Sequence, residues 1–313
     1  MKKAIVLTEM KKQLMYIILI LGVSSVFFSC SSKETQKKDS AEDAPFQGIQ
    51  IPICYDYDWQ AISFDICIND QDTLFAIFDT GADGVAIPKS LEKKYFKYKD
   101  SLSIKANGYS KVFTDRVKFV SWNIGRRYPD DDLSAPRVLL GWKFFEGKII
   151  ELSFNQQYIR ILDDTDHLQR REGIPIIKKH DNVHDDIYVP VTISIQGKKV
   201  NSLSIIDTGF NSTFLSYKGI FPNLDYTKSE KAYGIFSGHK KFTGYFSLAD
   251  TVKVGNNYIC NKNIGITDKI EIITNGGPVE SLIGCSFFEN FTLIFDFKNY
   301  ILYLNPIEDQ GNG

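Results

Sequence analysis

The chain has 313 residues, enough for one large domain or two smaller ones, each with a real core. A formal charge of −1 and a pI near 6.4 leave no basic footprint for nucleic acid. Twenty-three Phe and sixteen Tyr against ten Pro favour a folded, β-rich chain over disorder.

The first element is a targeting segment. From Met10, "MKKQLMYIILILGVSSVFFSC" gives Lys11 and Lys12, an apolar stretch from Leu14 to Phe28, and Ser29 before Cys30. It resembles a bacterial lipoprotein signal. The resemblance implies a signal peptide over 1–29, lipidation of Cys30, and a lipid-anchored place in the bacterial cell envelope, periplasmic or on the outer-membrane surface. An ordinary secretory signal or a membrane anchor is the alternative. The polar, small residues that follow read as a flexible tether over 30–45.

The remainder says one thing twice. The first half reads Asp79-Thr80-Gly81, then "WNIGRRY" at 122–128, then "VLLGWKFFEGKIIELSFNQQYIRIL" at 138–162. The second reads Asp207-Thr208-Gly209, then "VKVGNNY" at 252–258, then "SLIGCSFFENFTLIFDFKNYILYL" at 281–304. Both carry G-x-x-F-F-E, with Phe144, Phe145 and Glu146 matching Phe287, Phe288 and Glu289. From Asp79 to Gly125 is 46 positions and from Asp207 to Gly255 is 48. The next spacing is 16 to Gly141 but 29 to Gly284, which localises an insertion around 267–277.

Short apolar runs punctuated by Asn-Gly, Ser-Gly and Gly-Asn predict a series of hairpins. Short helices fit only near Ser90–Tyr95 and after each apolar-apolar-Gly element. The charged stretch 163–184 reads as the connection between a lobe at 46–162 and a lobe at 185–307.

One acid per half suggests a site. If the halves pack about a pseudo-twofold axis, the strand ends bearing Asp79 and Asp207 meet. Two touching carboxylates cannot both ionise cheaply, so they share a proton and titrate as a unit. One then deprotonates a water while the other polarises the carbonyl under attack. Gly81 and Gly209 let the backbone turn tightly, and the Thr80 and Thr208 hydroxyls can bond across the interface to hold the pair rigid.

On these motifs the chain resembles two-lobed aspartic proteases of the pepsin–retropepsin superfamily. "FDTGA" and "IDTGF" are each followed by the apolar-apolar-Gly element of that family, "LLG" and "LIG", and the likeness runs from about 62 to 304. It implies an all-β fold of two retropepsin-like barrel lobes, catalytic Asp79 and Asp207, no cofactor, and an extended peptide or protein substrate in the cleft. Because the lobes pair within one chain, a monomer is expected. A departure is Phe210, where pepsin-like enzymes carry a hydroxyl, and the alternative is a catalytically inactive binder of peptides or proteins.

A flap is expected over such a cleft. "IKANGYSKVF" at 104–113 has the form of one, with Tyr109 beside its tip as a substrate-contact candidate, and "YGIFSGHKKFTGYF" at 233–246 is its counterpart. Four cysteines remain in the body. Cys54–Cys67 and Cys260–Cys285 are the simplest disulfide pairings, and buried free thiols are the other possibility. His180 and His184, four apart, fall in the connection and read as solvated, and "YPDDDL" at 128–133 lacks EF-hand spacing. No metal is expected. Trp59, Trp122 and Trp142 read as core or interface residues.

Overall fold

The structure is a computed structural model that describes residues 46, 48–57, 61–96, 101–121, 137–164, 172–180, 185–236, 240–267 and 281–307. The targeting segment, Cys30, the tether, Trp59, Trp122, the acidic run 128–133, His184 and the tip of the hairpin at 237–239 lie outside the described residues. Among the described residues no helix is long and apolar enough to cross a membrane.

The architecture is all-β. Apolar residues alternate along the first half's strands: β1 (Ile49–Pro52), β2 (Cys54–Asp56), β3 (Ala61–Ile68), β4 (Asp72–Asp79) and β5 (Val85–Pro88). On β3, Ile62, Phe64, Ile66 and Ile68 all point inward and are buried. The three-residue turn from β3 to β4 places Asn69 and Asp70 at positive φ, the left-handed conformation that Asn and Asp tolerate best after Gly. A short 3-10 turn at Lys89–Leu91 runs into α1 (Glu92–Phe96), near the helix the sequence predicts at Ser90–Tyr95. Next come β6 (Leu102–Ala106), β7 (Tyr109–Phe113), β8 (Val117–Val120), β9 (Arg137–Gly141), β10 (Ile149–Ser153) and β11 (Tyr158–Leu162).

The second half contributes β12 (Ile174–Pro175), β13 (Ile177–His180), β14 (Asp185–Ile195), β15 (Lys198–Asp207), β16 (Phe214–Tyr217), β17 (Glu230–Phe236), β18 (Lys240–Val254) and β19 (Asn257–Thr267). It closes with β20 (Ser281–Gly284), α2 (Cys285–Phe288), β21 (Phe291–Asp296) and β22 (Ile301–Pro306). The stretch read as a charged connection adds two strands. Ile174 and Ile176 are buried, so "GIPII" is held as β12, which pairs with β22, and β13 pairs with β14.

Two eight-stranded sheets run β7-β6-β3-β4-β9-β5-β8 (with β2 on β3) and β13-β14-β15-β20-β16-β19-β18-β17. Each contains the same local arrangement. In one, β4 lies parallel to β9, and β5 lies antiparallel to β9 and parallel to β8. In the other, β15 lies parallel to β20, and β16 lies antiparallel to β20 and parallel to β19. Asp79 therefore sits beside Gly141, and Asp207 beside Gly284.

A third sheet, β1-β11-β10-β21-β22-β12, mixes both halves, with β10 antiparallel to β21 at its centre. Over it sits an aromatic core: Trp142, Phe144, Phe145, Phe287, Phe288, Phe295 and Phe297 are almost wholly buried. The G-x-x-F-F-E repeats supply the first five, on a 3-10 turn (Trp142–Phe145) and on α2.

The disulfide pairings do not form: all four cysteines are free. Cys54 faces Ser63 across the β2–β3 ladder, which leaves Cys67 four residues further along the strand. At about 3.3 Å per residue that is about 13 Å, well beyond disulfide reach. Cys260 is exposed on β19, opposite Thr251, while Cys285 is buried at the start of α2.

Phe145 packs edge-on against Phe78, the residue before Asp79, at 5.3 Å between ring centroids. Phe145→Ala is expected to lower the free energy of unfolding by about 3–5 kcal/mol, measured by urea denaturation. A loss below about 1 kcal/mol would show that this contact does not anchor the end of β4.

Candidate functional site

The two Asp-Thr-Gly loops meet. Asp79 ends β4 and Asp207 ends β15, each at the point where the chain leaves a strand that is paired in parallel with a glycine-ended neighbour. Gly141 is required there because a Cβ on it would stand 2.3 Å from the Ala82 carbonyl oxygen. A Cβ on Gly284 would likewise stand 2.4 Å from the Phe210 oxygen.

The loops repeat one hydrogen-bond pattern. The N–H of Ala82 donates to the Asp79 carbonyl (3.1 Å) and that of Phe210 to the Asp207 carbonyl (3.2 Å). Returning from the next element, Trp142 N–H donates to Ala82 O (2.9 Å) and Cys285 N–H to Phe210 O (3.0 Å). Phe210 thus plays the same backbone part as Ala82. Its half-buried ring packs beside the small cluster of Tyr188, Ile205, Leu215 and Leu282.

Beneath the acids the halves are tied by threonine hydroxyls. Thr208 Oγ1 accepts from the Thr80 N–H at 3.0 Å and donates to Phe78 O at 3.1 Å. Thr80 Oγ1 accepts from the Thr208 N–H at 3.0 Å and donates to Ile206 O at 2.8 Å. Both threonines are buried, and every one of these bonds crosses between the repeats.

Each carboxyl lies over the other loop's glycine. A Cβ on Gly209 would come within 2.5 Å of Asp79 Cγ, and one on Gly81 within 2.7 Å of Asp207 Cγ. Only glycine leaves room for the pair. The Gly81 N–H donates to Asp79 Oδ1 and the Gly209 N–H to Asp207 Oδ1, both at 2.9 Å, and the two carboxyls are hydrogen-bonded to each other.

The chain matches no known protein family, and no curated protein is similar to it.

Burial raises the Asp79 carboxyl above the ordinary range, against the pull of hydrogen bonds from Asp207, Gly81 and Gly209. Asp207 is pushed up much further, by burial first and then by the charge and hydrogen bond of Asp79. Both side chains nevertheless keep part of their surface open to solvent. The pair therefore holds one proton to higher pH than a free carboxyl does. A proton-bearing acid beside a carboxylate can give and take a proton in the same encounter.

Tyr109 is not a substrate-facing flap residue. It is buried, its hydroxyl donates to Phe144 O at 2.8 Å, and its ring lies 5.2 Å and 5.5 Å from those of Phe144 and Phe145. Burial pushes its phenol up to about 12. The hairpin itself forms as β6–β7, with Asn107 and Gly108 at its tip, where Asn107 Nδ2 donates to Gln50 O at 2.6 Å. Alternation decides the matter: from the tip, Tyr109 and Phe113 take the inward face.

Sequence reasoning passed over a charged network beside the first loop. Asp83 Oδ2 accepts from Arg116 Nη1 at 2.9 Å and from the Asp185 N–H at 3.1 Å. Burial alone would raise Asp185, but Lys143 and His180 hold it down to about 2, with Lys178 adding to the pull. His180 Nδ1 lies 2.5 Å from Asp185 Oδ1. A buried acid such as Asp83 directly after an Asp-Thr-Gly-Ala run was the available signal.

Thr80→Val removes a hydroxyl and strands the buried Thr208 N–H and Ile206 carbonyl. It is expected to lower unfolding free energy by about 2–4 kcal/mol, while Thr80→Ser, which keeps both bonds, costs about 1 kcal/mol or less. Equal losses in chemical denaturation would remove the hydroxyl from the account.

The acid pair also predicts a pH signature of stability. Carboxyls raised in the fold contribute stability fully below the unfolded value near 3.9, lost as pH rises through the folded value. Asp207→Asn should therefore be more stable than wild type at pH 7, and the difference should shrink as pH falls from the raised folded value toward about 4, below which it stays small. A pH-independent difference in melting would contradict the shared burial.

Proposed function

We propose that this protein is an aspartic endopeptidase that hydrolyses peptide bonds with a water activated between Asp79 and Asp207. The observation that carries this reading is the mutual contact of the two carboxyls, each packed over the other loop's glycine and hydrogen-bonded to its own.

On this reading the chain is a two-lobed retropepsin-like fold, with lobes at 46–162 and 185–307 related by a pseudo-twofold axis. Support comes from the matched pairings of β4, β5, β8 and β9 with β15, β16, β19 and β20, and from the reciprocal threonine bonds. The third sheet joins the lobes across β10 and β21.

The chemistry follows from the proton inventory. Of the two acids one is ionised and one protonated. The carboxylate takes a proton from the water as its oxygen attacks the amide carbon, and the neutral acid donates to the carbonyl oxygen. A tetrahedral diol forms and no bond to the protein is made. As the C–N bond breaks, the proton first taken from water passes to the leaving nitrogen and a diol hydroxyl returns its proton to the other carboxylate, releasing a carboxylic acid and an amine. The Gly81 and Gly209 N–H groups hold the carboxyls in line, so little reorganisation is needed during the step. The threonine bonds fix the separation of the acids, and a drift of an ångström there would be costly.

We further infer from the N-terminal sequence that Cys30 carries a lipid anchoring the enzyme to the bacterial envelope, with peptide or protein substrates met there.

The test is incubation of the full chain with an unbiased peptide pool across pH, beside Asp79→Asn and Asp207→Asn. Cleavage in wild type should fall by at least about a thousandfold in each variant, since losing either acid removes half of the proton transfer. The basic limb of the wild-type profile should lie above the ordinary carboxyl range. The same peptide profile in all three proteins would refute the peptidase reading.

A further inference from the structure

We propose that Cys285, seated by Tyr55 and Glu289, is a positioning residue for the Asp79–Asp207 pair, acting through the peptide bond between Thr208 and Gly209. The kinetic part of the proposal rests on the peptidase reading; the geometric part does not.

Cys285 is fully buried and opens α2 directly after Gly284. Its thiol donates to the Thr208 carbonyl at 3.0 Å. The N–H at the other end of that same peptide unit, on Gly209, donates to Asp207 Oδ1 at 2.9 Å and also faces Asp79. A peptide group that accepts a hydrogen bond at its oxygen becomes a better donor at its nitrogen. The thiol therefore both fixes the plane of this peptide and strengthens its hold on the carboxyls.

A residue of the other repeat lies beside the thiol. Tyr55 on β2 is buried next to Cys285, and its hydroxyl donates to Glu289 Oε2 at 2.9 Å. Glu289 follows α2 directly and closes the group. Burial pushes the thiol's ionisation far above its usual range, so it is a neutral donor at every working pH.

The matched position in the first repeat behaves differently. Trp142 stands where Cys285 stands, but its indole N–H donates to Asp185 O at 2.9 Å, away from the acids. The thiol support is thus particular to the Asp207 loop, whose Gly209 N–H faces both acids. The titratable groups facing Asp207 are Asp79 from β4 and Cys285 from α2, with Tyr55 from β2 and Glu289 behind the thiol.

The sign follows. An N–H that donates to a carboxylate favours its ionised form. Removing the thiol loosens the Gly209 N–H, so the pair should hold its proton to higher pH.

The experiment compares the full-length wild type with Cys285→Ala, Cys285→Ser and Tyr55→Phe, using two measurements. The first is the pH dependence of kcat/KM on a cleaved peptide. The second is carbon-13 NMR titration of labelled aspartate carboxyls, assigned with Asp79→Asn and Asp207→Asn. Cys285→Ala should move both limbs of the profile and the carboxyl titration upward by about half a pH unit. Its kcat should fall severalfold while KM stays within about twofold. Cys285→Ser, which keeps a donor, should restore both, and Tyr55→Phe should shift them the same way by less. If Cys285→Ala does not fold, Cys285→Val, which fills the site without a donor, decides in its place: an upward carboxyl shift supports the proposal and an unmoved titration overturns it. Superimposable titrations in wild type and Cys285→Ala, or Cys285→Ser shifting as far as Cys285→Ala, would likewise overturn it. Should wild type cleave nothing, the peptidase reading fails by itself, and the carboxyl titration still tests the positioning role.

Discussion

Two buried acids in contact are the constraint around which the rest of this molecule is arranged. Bringing Asp79 and Asp207 together costs desolvation and, unless one keeps its proton, repulsion. Nothing in either repeat alone would hold such a contact. The offsetting interactions are the four threonine bonds beneath the pair, in which each hydroxyl both accepts from and donates to the strand end of the opposite repeat. Because each of those groups is buried, any separation of the repeats would strand several polar atoms at about 1–3 kcal/mol apiece. The loops are consequently locked to one another more tightly than apolar packing alone would lock them.

The aromatic repeats carry that lock outward. Glu146 and Glu289 occupy matched positions, and each reaches across the chain: Glu146 to Lys178 Nζ at 3.5 Å, Glu289 to Tyr55. The residues after the glycines do the same, Trp142 to Asp185 and Cys285 toward Tyr55. Behind them the β10–β21 pairing runs both halves into one sheet. Surface ion pairs such as Lys178–Glu146 add little by themselves. The buried Asp185, ringed by Lys143, Lys178, Arg116 and His180, is a stronger tie, since removing its cations would leave an uncompensated charge.

Much of this was legible in the sequence because duplication prints its own register. The Asp-Thr-Gly loops, the glycines at 141 and 284, and the short helices after them were visible from spacing, and the strands from alternation. What stayed hidden depended on which face a residue takes or on partners distant in sequence. Tyr109 reads as a flap residue until the β6–β7 register turns it inward onto Phe144. Cysteine pairings proposed from order along the chain failed on a ladder that separates Cys54 from Cys67. Tyr55 and Glu289 are 234 positions apart, and no local pattern announces their contact.

Matched strand pairings around the two acids leave a chemical question, because on the proposed reading the acids differ at any instant, one charged and one neutral. A shared proton permits that difference without specifying which carboxyl holds it. The repeats supply the bias in their second layer, where their sequences have parted. Ala82 faces Phe210 across the pseudo-repeat, and Trp142 faces Cys285. The bonds that residues 82 and 210 make through their own N–H and C=O are the same in both loops, while their side chains differ. Asp207 is raised by burial and by Asp79, yet it lies on the peptide that the Cys285 thiol supports. That support opposes the rise, since an N–H that donates to a carboxylate favours its ionised form.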